Sequence, residues 1–145
     1  MAATGLLNLA RLTGRNDFLS AAESALVAAS GVMSSSPQAA AQSLRVLLRH
    51  LQPSQEYVLV AGSDDGEFAE LRQELLKRID PFALTVCLAA ANDEAGQTNL
   101  AELAKLCPLV AQRLPVDSQA TLYVCQDFSC QQPLVGKLAI AAALH

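Results

Sequence analysis

Cys125 and Cys130 are the residues whose types and spacing point most directly to chemistry. One thiol stands at the end of a predicted strand and the other follows a four-residue gap, which a turn can close. Three interpretations stay open: packed or idle thiols, a reversible or structural disulfide, and half of a metal site whose other ligands come from elsewhere. The spacing is not that of a C-x-x-C dithiol, and the sequence aims no basic neighbour at either sulfur.

The remaining cysteines and the histidines predict no site. Cys87 falls within a predicted buried strand, where an unpaired cysteine is most often a small core residue, and Cys107 has no obvious partner. His50 and His145 form no hydrolytic or zinc motif with a Cys, Ser or carboxylate. We therefore expect no catalytic residue, no cofactor and no enzyme activity from this chain by itself.

A second candidate site, with less support than the cysteine pair, consists of carboxylates in the turns that follow the predicted strands. They are Asp64, Asp65, Asp93, Glu94 and Asp127. If the strands are parallel, these turns meet at the carboxyl edge of the sheet, where α/β proteins usually bind ligands. Several carboxylates there could hold Mg2+ or a cationic group, and acidic turns that simply face water give the same pattern.

Residues 1–55 have a helical pattern. Leucine and alanine recur at helical spacing in three stretches, which are separated by Thr13-Gly14 and by Ser36-Pro37. This pattern predicts an antiparallel helical hairpin, with an extra helix in front of it.

The period changes over residues 56–145. Short apolar runs rich in strand formers begin at Tyr57, Leu84 and Ala120, and amphipathic segments lie between them. The order predicts an α/β fold: N-terminal helical hairpins followed by a small, mainly parallel three-stranded sheet with flanking helices. We expect the two parts to pack as one unit.

Composition excludes several classes of protein. The chain has 145 residues, of which 52% are hydrophobic, 4% are aromatic and none is Trp. Its net charge of −4 combines +2 over residues 1–55 with −6 over residues 56–145. Without a basic stripe or aromatic platforms, we expect no nucleic-acid partner. No apolar run is as long as a membrane span and no signal peptide is evident, so we expect a cytoplasmic protein without a membrane partner.

Four segments carry a resemblance to a known family: residues 5–14, 37–42 and 58–62, and above all the pattern Y-V-C-x4-C-x-x-P at 123–133. Together they resemble the C-terminal end of large thioredoxin-domain-containing proteins related to spermatogenesis-associated protein 20. In that family a thioredoxin-like domain precedes an (α/α) barrel similar to six-hairpin glycosidases and N-acylglucosamine 2-epimerases. The resemblance covers nearly all of the chain.

The resemblance implies that residues 1–55 are the last helices of such a barrel, and that the thioredoxin-like domain lies upstream of Met1. No catalytic residue carries over; only Cys125 and Cys130 match a family motif. The expected function is a non-catalytic structural or interaction domain of a protein connected with carbohydrate metabolism. Its exposed Ala/Leu face would favour self-association or contact with the upstream domains. The alternatives are a redox or metal-handling module that uses the cysteine pair, and small-ligand binding at the acidic turns.

Overall fold

The computed structural model describes residues 2–77, 80, 82–89, 94–126 and 129–144, without the side chain of residue 95. The chain divides into two compact units, Met1–Ser54 and Gln55–His145. The first is helical and the second contains a sheet with flanking helices, so the predicted α/β class with N-terminal helices is confirmed.

The first unit consists of three helices. They are α1 (Ala2–Thr13), α2 (Asn16–Ser35) and α3 (Ala41–Leu51). Leu7, Ala22, Leu26 and Val46 form its buried core, with contributions from all three helices. Gly14 ends α1 in the left-handed conformation, at φ +67°, and donates its backbone N–H to the carbonyl of Ala10 at 2.8 Å.

A buried arginine links two of these helices. Arg11 on α1 donates from Nη2 to the backbone carbonyl of Arg49 at 2.7 Å, in the last turn of α3. The carbonyl end of a helix carries partial negative charge, which favours a cation there. Arg11 therefore links α1 to the C-terminal end of α3 by a hydrogen bond and by its interaction with the helix dipole.

Helix α2 is the one described helix whose length and composition would allow it to cross a membrane. It has 20 residues, an 18-residue stretch of it has a mean hydropathy of 1.2, and 11% of that stretch is buried. Core helices of soluble proteins and signal sequences meet the same criterion, and two α2 residues, Ala22 and Leu26, belong to the core of the helical unit.

The second unit is built on a five-stranded sheet. The strands are β1 (Gln55–Val60), β2 (Ala83–Leu88), β3 (Thr121–Gln126), β4 (Ser129–Cys130) and β5 (Leu134–Val135). The helices are α4 (Asp65–Lys77), α5 (Glu94–Leu106) and α6 (Lys137–Leu144), with a 3-10 turn at Pro108–Val110. The strand order is β2-β1-β3-β4, and β5 also pairs with β3.

The sheet is mixed, so the prediction of a mainly parallel three-stranded sheet is wrong in strand number and in direction. β1 and β2 are parallel, but β3 runs antiparallel to β1, with Gln126 opposite Gln55. The reason is the path of residues 107–120, which return to the carboxyl end of β1 before β3 begins. There the backbone N–H of Ser63 donates to the carbonyl of Ser118 at 2.8 Å. A Cβ on Gly62 would lie 2.5 Å from that same oxygen, so only glycine fits this approach.

The two faces of the sheet carry different sets of side chains. One face packs against α4 and α6 through a core that includes Leu59, Leu71, Leu122 and Ile140. Because side chains alternate along a strand, Glu56 and Val58 on β1 and Cys125 on β3 lie on the opposite face. β2 is an edge strand, so Cys87 is half-buried and not enclosed in a fully buried strand as expected.

Candidate thiol–disulfide site

Cys125 and Cys130 form a disulfide. Cys125 lies on β3 and Cys130 on β4, and they face each other as register partners in the antiparallel pair. The hairpin continues beyond β4, where the backbone N–H of Gln131 donates to the carbonyl of Val124 at 3.0 Å. Of the three interpretations that the sequence left open, this geometry corresponds to the disulfide.

The two sulfur-bearing residues differ in exposure. Cys125 is 1% exposed, whereas Cys130 is half-buried on the short outer strand. A thiol that approaches from solvent therefore reaches Cys130 first. Access to a sulfur is one of the factors that set the rate of thiol–disulfide exchange.

Arg113 lies against the more exposed sulfur. Its Nη2 is 2.9 Å from the Sγ of Cys130, and its guanidinium carbon lies 5.2 Å from the centre of the Tyr123 ring. The hydroxyl of Tyr123 donates to the carbonyl of Leu114 at 2.7 Å, which holds the ring and the arginine-bearing segment together. A cation at this position stabilises negative charge on Cys130.

The segment that carries Arg113 is fixed by buried apolar residues. Leu109 and Val110 of the 3-10 turn are buried, and the backbone N–H of Arg113 donates to the carbonyl of Val110 at 3.2 Å. Pro108 ends the preceding helix because proline lacks the N–H that a continuing helix needs. The turn thus redirects the chain so that Arg113 comes to the β3–β4 hairpin.

Glu56 lies in the β1 position directly opposite Cys125. Its side chain is 0% exposed, and within the described part of the chain neither carboxylate oxygen has a hydrogen-bond partner. Opposed residues of an antiparallel pair have Cβ atoms roughly 4.5–5.5 Å apart, so the carboxyl group and the Cys125 sulfur share one face at close range. The site therefore has a cation in contact with the sulfur of Cys130 and a buried glutamate at the strand position paired with Cys125.

Neither Glu56 nor Arg113 was predicted as a site residue from the sequence. Glu56 precedes the apolar run that begins at Tyr57, and its alternation with Val58 and Val60 was the available signal for the buried face. No sequence signal places Arg113 near Cys130, because the two residues meet only through the path of residues 107–120.

The two free cysteines are less suited to exchange. Burial raises the pKa of the Cys87 thiol, and burial also raises the pKa of Cys107. A raised pKa leaves less thiolate at neutral pH, and the thiolate is the reactive form. We therefore expect thiol–disulfide exchange in this unit at Cys125 and Cys130.

The acidic residues of the predicted turns do not form one site among the described residues. Asp64 accepts hydrogen bonds at Oδ1 from the backbone N–H groups of Gly66 at 2.8 Å and Glu67 at 3.1 Å, so it caps α4. Asp65 and Glu94 are exposed first residues of α4 and α5. Asp93 and Asp127 lie outside the described residues.

The predicted meeting of all three turns at one edge is wrong. β3 runs antiparallel to β1, so Gln126 at its carboxyl end lies beside Gln55 at the amino end of β1. The carboxyl ends of β1 and β2 share the opposite edge. Among the described residues, no group of three or more His, Cys, Asp or Glu side chains could hold a metal ion.

No protein-family model, curated protein or solved structure matches this chain. The resemblance to the thioredoxin-domain-containing family therefore stays a prediction from the residues that carry it.

Proposed function

We propose that residues 55–145 form a thiol–disulfide exchange module in which the bridge between Cys125 and Cys130 opens and re-forms. One observation carries this proposal: Arg113 contacts the Sγ of Cys130, the more exposed of the two bonded residues. A purely structural bridge needs no cation at the accessible sulfur. A cation there favours the thiolate form that exchange requires.

The reaction begins when the thiolate of a low-molecular-weight thiol attacks the Sγ of Cys130. A new sulfur–sulfur bond forms, the bond to Cys125 breaks, and its electron pair stays on the Sγ of Cys125, which takes up a proton. A second thiolate attacks the small-molecule sulfur of this mixed disulfide, which releases a small-molecule disulfide and the Cys130 thiolate. Two small thiols are oxidised and the protein disulfide is reduced to two thiol groups.

The surroundings of the two sulfurs assign them different roles. Cys130 is the point of attack because it is the more exposed of the two, and Arg113 stabilises its thiolate once the bridge is open, so Cys130 is also the nucleophile that re-forms a mixed disulfide. The carboxyl group of Glu56, opposite Cys125, supplies oxygen acceptors and no positive charge.

Thiol counting in defined glutathione buffers tests this function. The protein is equilibrated with mixtures of reduced and oxidised glutathione, quenched with acid, alkylated in denaturant so that buried thiols also react, and weighed by mass spectrometry. We expect two alkylated cysteines in oxidising mixtures, Cys87 and Cys107, and four in reducing mixtures, with a midpoint inside the range that glutathione spans. Two outcomes would contradict the proposal: a bridge that glutathione never opens, or four reactive thiols in every mixture.

We also propose that the helical unit serves as an interaction domain, in line with the family resemblance, and that its partner is a second copy of this chain. Val27 on α2 is 71% exposed and Leu51 at the end of α3 is 68% exposed. Exposed apolar surface of this kind favours association.

Sedimentation velocity at micromolar concentrations tests this second function. A concentration-dependent dimer is expected, and Val27→Glu should weaken it, whereas Ala21→Glu, at an exposed position about 120° away around the same helix, should not. A monomer at every concentration, or equal weakening by both variants, contradicts self-association through this surface.

A further inference from the structure

A cavity of about 610 Å³ lies at the carboxyl ends of β1 and β2. Val60 and Leu88 close it from the sheet, Leu100 and Ala104 from α5, and Val110 and Leu114 from the segment that precedes β3. Its size falls within the range of roughly 300–1,000 Å³ that small-molecule sites occupy in proteins. In a sheet with parallel strands, this edge is also where ligands usually bind.

The wall of this cavity combines apolar surface with a single charge. Among the described residues that line it, Arg113 is the one charged side chain, and the neutral polar groups include Ser63, Gln97 and Gln112. Asp64, Asp65 and Glu94, the described acidic residues of the sequence-based ligand hypothesis, do not line it. The cavity therefore suits an anion, opposite in sign to the cation that the acidic turns were expected to hold.

Arg113 has unused hydrogen-bonding capacity at this site. Its Nε is buried and has no acceptor among the described residues, although Nη2 contacts Cys130. A buried donor without an acceptor costs free energy, which an oxyanion of a bound molecule would offset. A guanidinium presents several donors in one plane, an arrangement that matches carboxylate and phosphate oxygens.

Two tight turns shape the cavity wall. Gln112 and Ser118, which both line the cavity, have positive φ angles of 61° and 58°. Gln112 is the third residue of a turn closed by the hydrogen bond from the N–H of Arg113 to the carbonyl of Val110, and Ser118 is the third residue of the turn from Val116 to Gln119. Positive φ is the ordinary conformation at this position of such turns, so the two turns fix the path of the segment that carries Arg113.

We propose that this cavity binds a small molecule with an apolar body and a terminal oxyanion, either a carboxylate or a phosphate monoester, which pairs with Arg113. The apolar body fills the space between α5 and the ends of β1 and β2. This inference goes beyond disulfide exchange and requires no redox step. It makes Arg113 a shared element, because the same guanidinium contacts Cys130 and lines the cavity.

Titration calorimetry with three probes that share an eight-carbon chain tests the proposal. Octanoate and octyl phosphate carry the oxyanion, and 1-octanol is the neutral control. We expect at least one anionic probe to bind about tenfold or more tightly than octanol, as expected for one charge-assisted contact. The stronger of the two anions identifies the oxyanion. No binding by either anion, or binding equal to that of octanol, would overturn the proposal.

Variants locate the binding. Arg113→Gln should remove the preference for the anionic probe, whereas Arg72→Gln, an exposed arginine on α4 outside the cavity, should leave it unchanged. Ala104→Phe fills the cavity and leaves Arg113 in place, so it should abolish binding of all three probes. Binding that survives both Arg113→Gln and Ala104→Phe would place the probe elsewhere and overturn the assignment.

The double variant Cys125→Ala/Cys130→Ala separates this proposal from the exchange module. It removes all exchange chemistry but leaves the cavity residues in place, so the anionic probe should still bind. Loss of anion binding in this variant would contradict a cavity site that is independent of the bridge.

Discussion

Glu56 lies directly opposite Cys125 in the pairing of β1 with β3, and it is fully buried. Arg113 contacts the other sulfur of the bridge, on Cys130. The two bonded cysteines therefore have different surroundings, with a buried glutamate at the strand position paired with Cys125 and a cation at the accessible sulfur of Cys130. Exposure determines which sulfur is attacked, and Arg113 favours the thiolate at Cys130 once the bridge is open.

Reduction of the bridge should lower the stability of the second unit modestly. The bonded residues are 5 positions apart in sequence, and so short a loop gives a stabilisation of about 2 kcal/mol by the chain-entropy account. Urea unfolding of the oxidised and reduced protein measures the difference. The Cys125→Ala/Cys130→Ala variant should respond to reductant not at all, and a loss of all structure on reduction would contradict a bridge that cycles.

Replacement of Glu56 by leucine should raise the free energy of unfolding by about 1–3 kcal/mol. Both carboxylate oxygens are buried without a partner among the described residues, so an apolar side chain of similar volume removes a desolvation cost. Glu56→Gln, which keeps the polar atoms buried, is the matched control and should gain less. Denaturant unfolding of the three proteins decides, and a less stable Glu56→Leu protein would show that the carboxyl group has a stabilising contact.

Asp64→Ala should lower the free energy of unfolding by about 1 kcal/mol, because α4 loses the side chain that caps two of its backbone N–H groups. Asp65→Ala, one position later, removes an exposed carboxylate and should cost less. Thermal unfolding with and without millimolar Mg2+ separates the capping role from a metal site. A rise in Tm with Mg2+ that Asp64→Ala abolishes would restore the cation hypothesis.

Alkylation of the reduced protein should follow a fixed order. At neutral pH Cys130 should react first, because burial raises the pKa of Cys87 and of Cys107 above the ordinary value of 9.0. Each of these two thiols has a lower pKa in the unfolded chain than in the folded protein. Their contribution to the free energy of unfolding is therefore complete below pH 9.0 and declines as the pH rises above 9.0. Timed alkylation with peptide mapping measures the order, and faster reaction at Cys87 than at Cys130 would contradict it.

Local patterns in the sequence predicted the elements well and their arrangement only in part. The helical periods around Leu26 and Leu71, and the apolar run at Val58, identify their elements because each pattern reflects burial within one element. The direction of β3 was predicted wrongly because it depends on the return of residues 107–120 to the carboxyl end of β1, where the chain approaches Gly62 closely.

The candidate site, too, could be predicted from the sequence only in part. The spacing of Cys125 and Cys130 allowed a disulfide and also two other arrangements, and the pairing of β3 with β4 distinguishes them. Arg113 and Glu56 join this pair through contacts between segments far apart in the sequence. Single-sequence patterns carry no information about such contacts, so these residues could not be assigned.

The position of the disulfide equilibrium in Arg113→Gln measures how far the guanidinium controls the bridge between Cys125 and Cys130. The fraction of bridged protein is measured in glutathione buffers at neutral pH for the natural sequence, for Arg113→Gln and for the control Arg72→Gln. Loss of the guanidinium removes stabilisation of the Cys130 thiolate, so we predict an equilibrium shifted toward the disulfide by about tenfold. The control should match the natural sequence. An unchanged equilibrium in Arg113→Gln, or a shift toward the dithiol, would contradict the account.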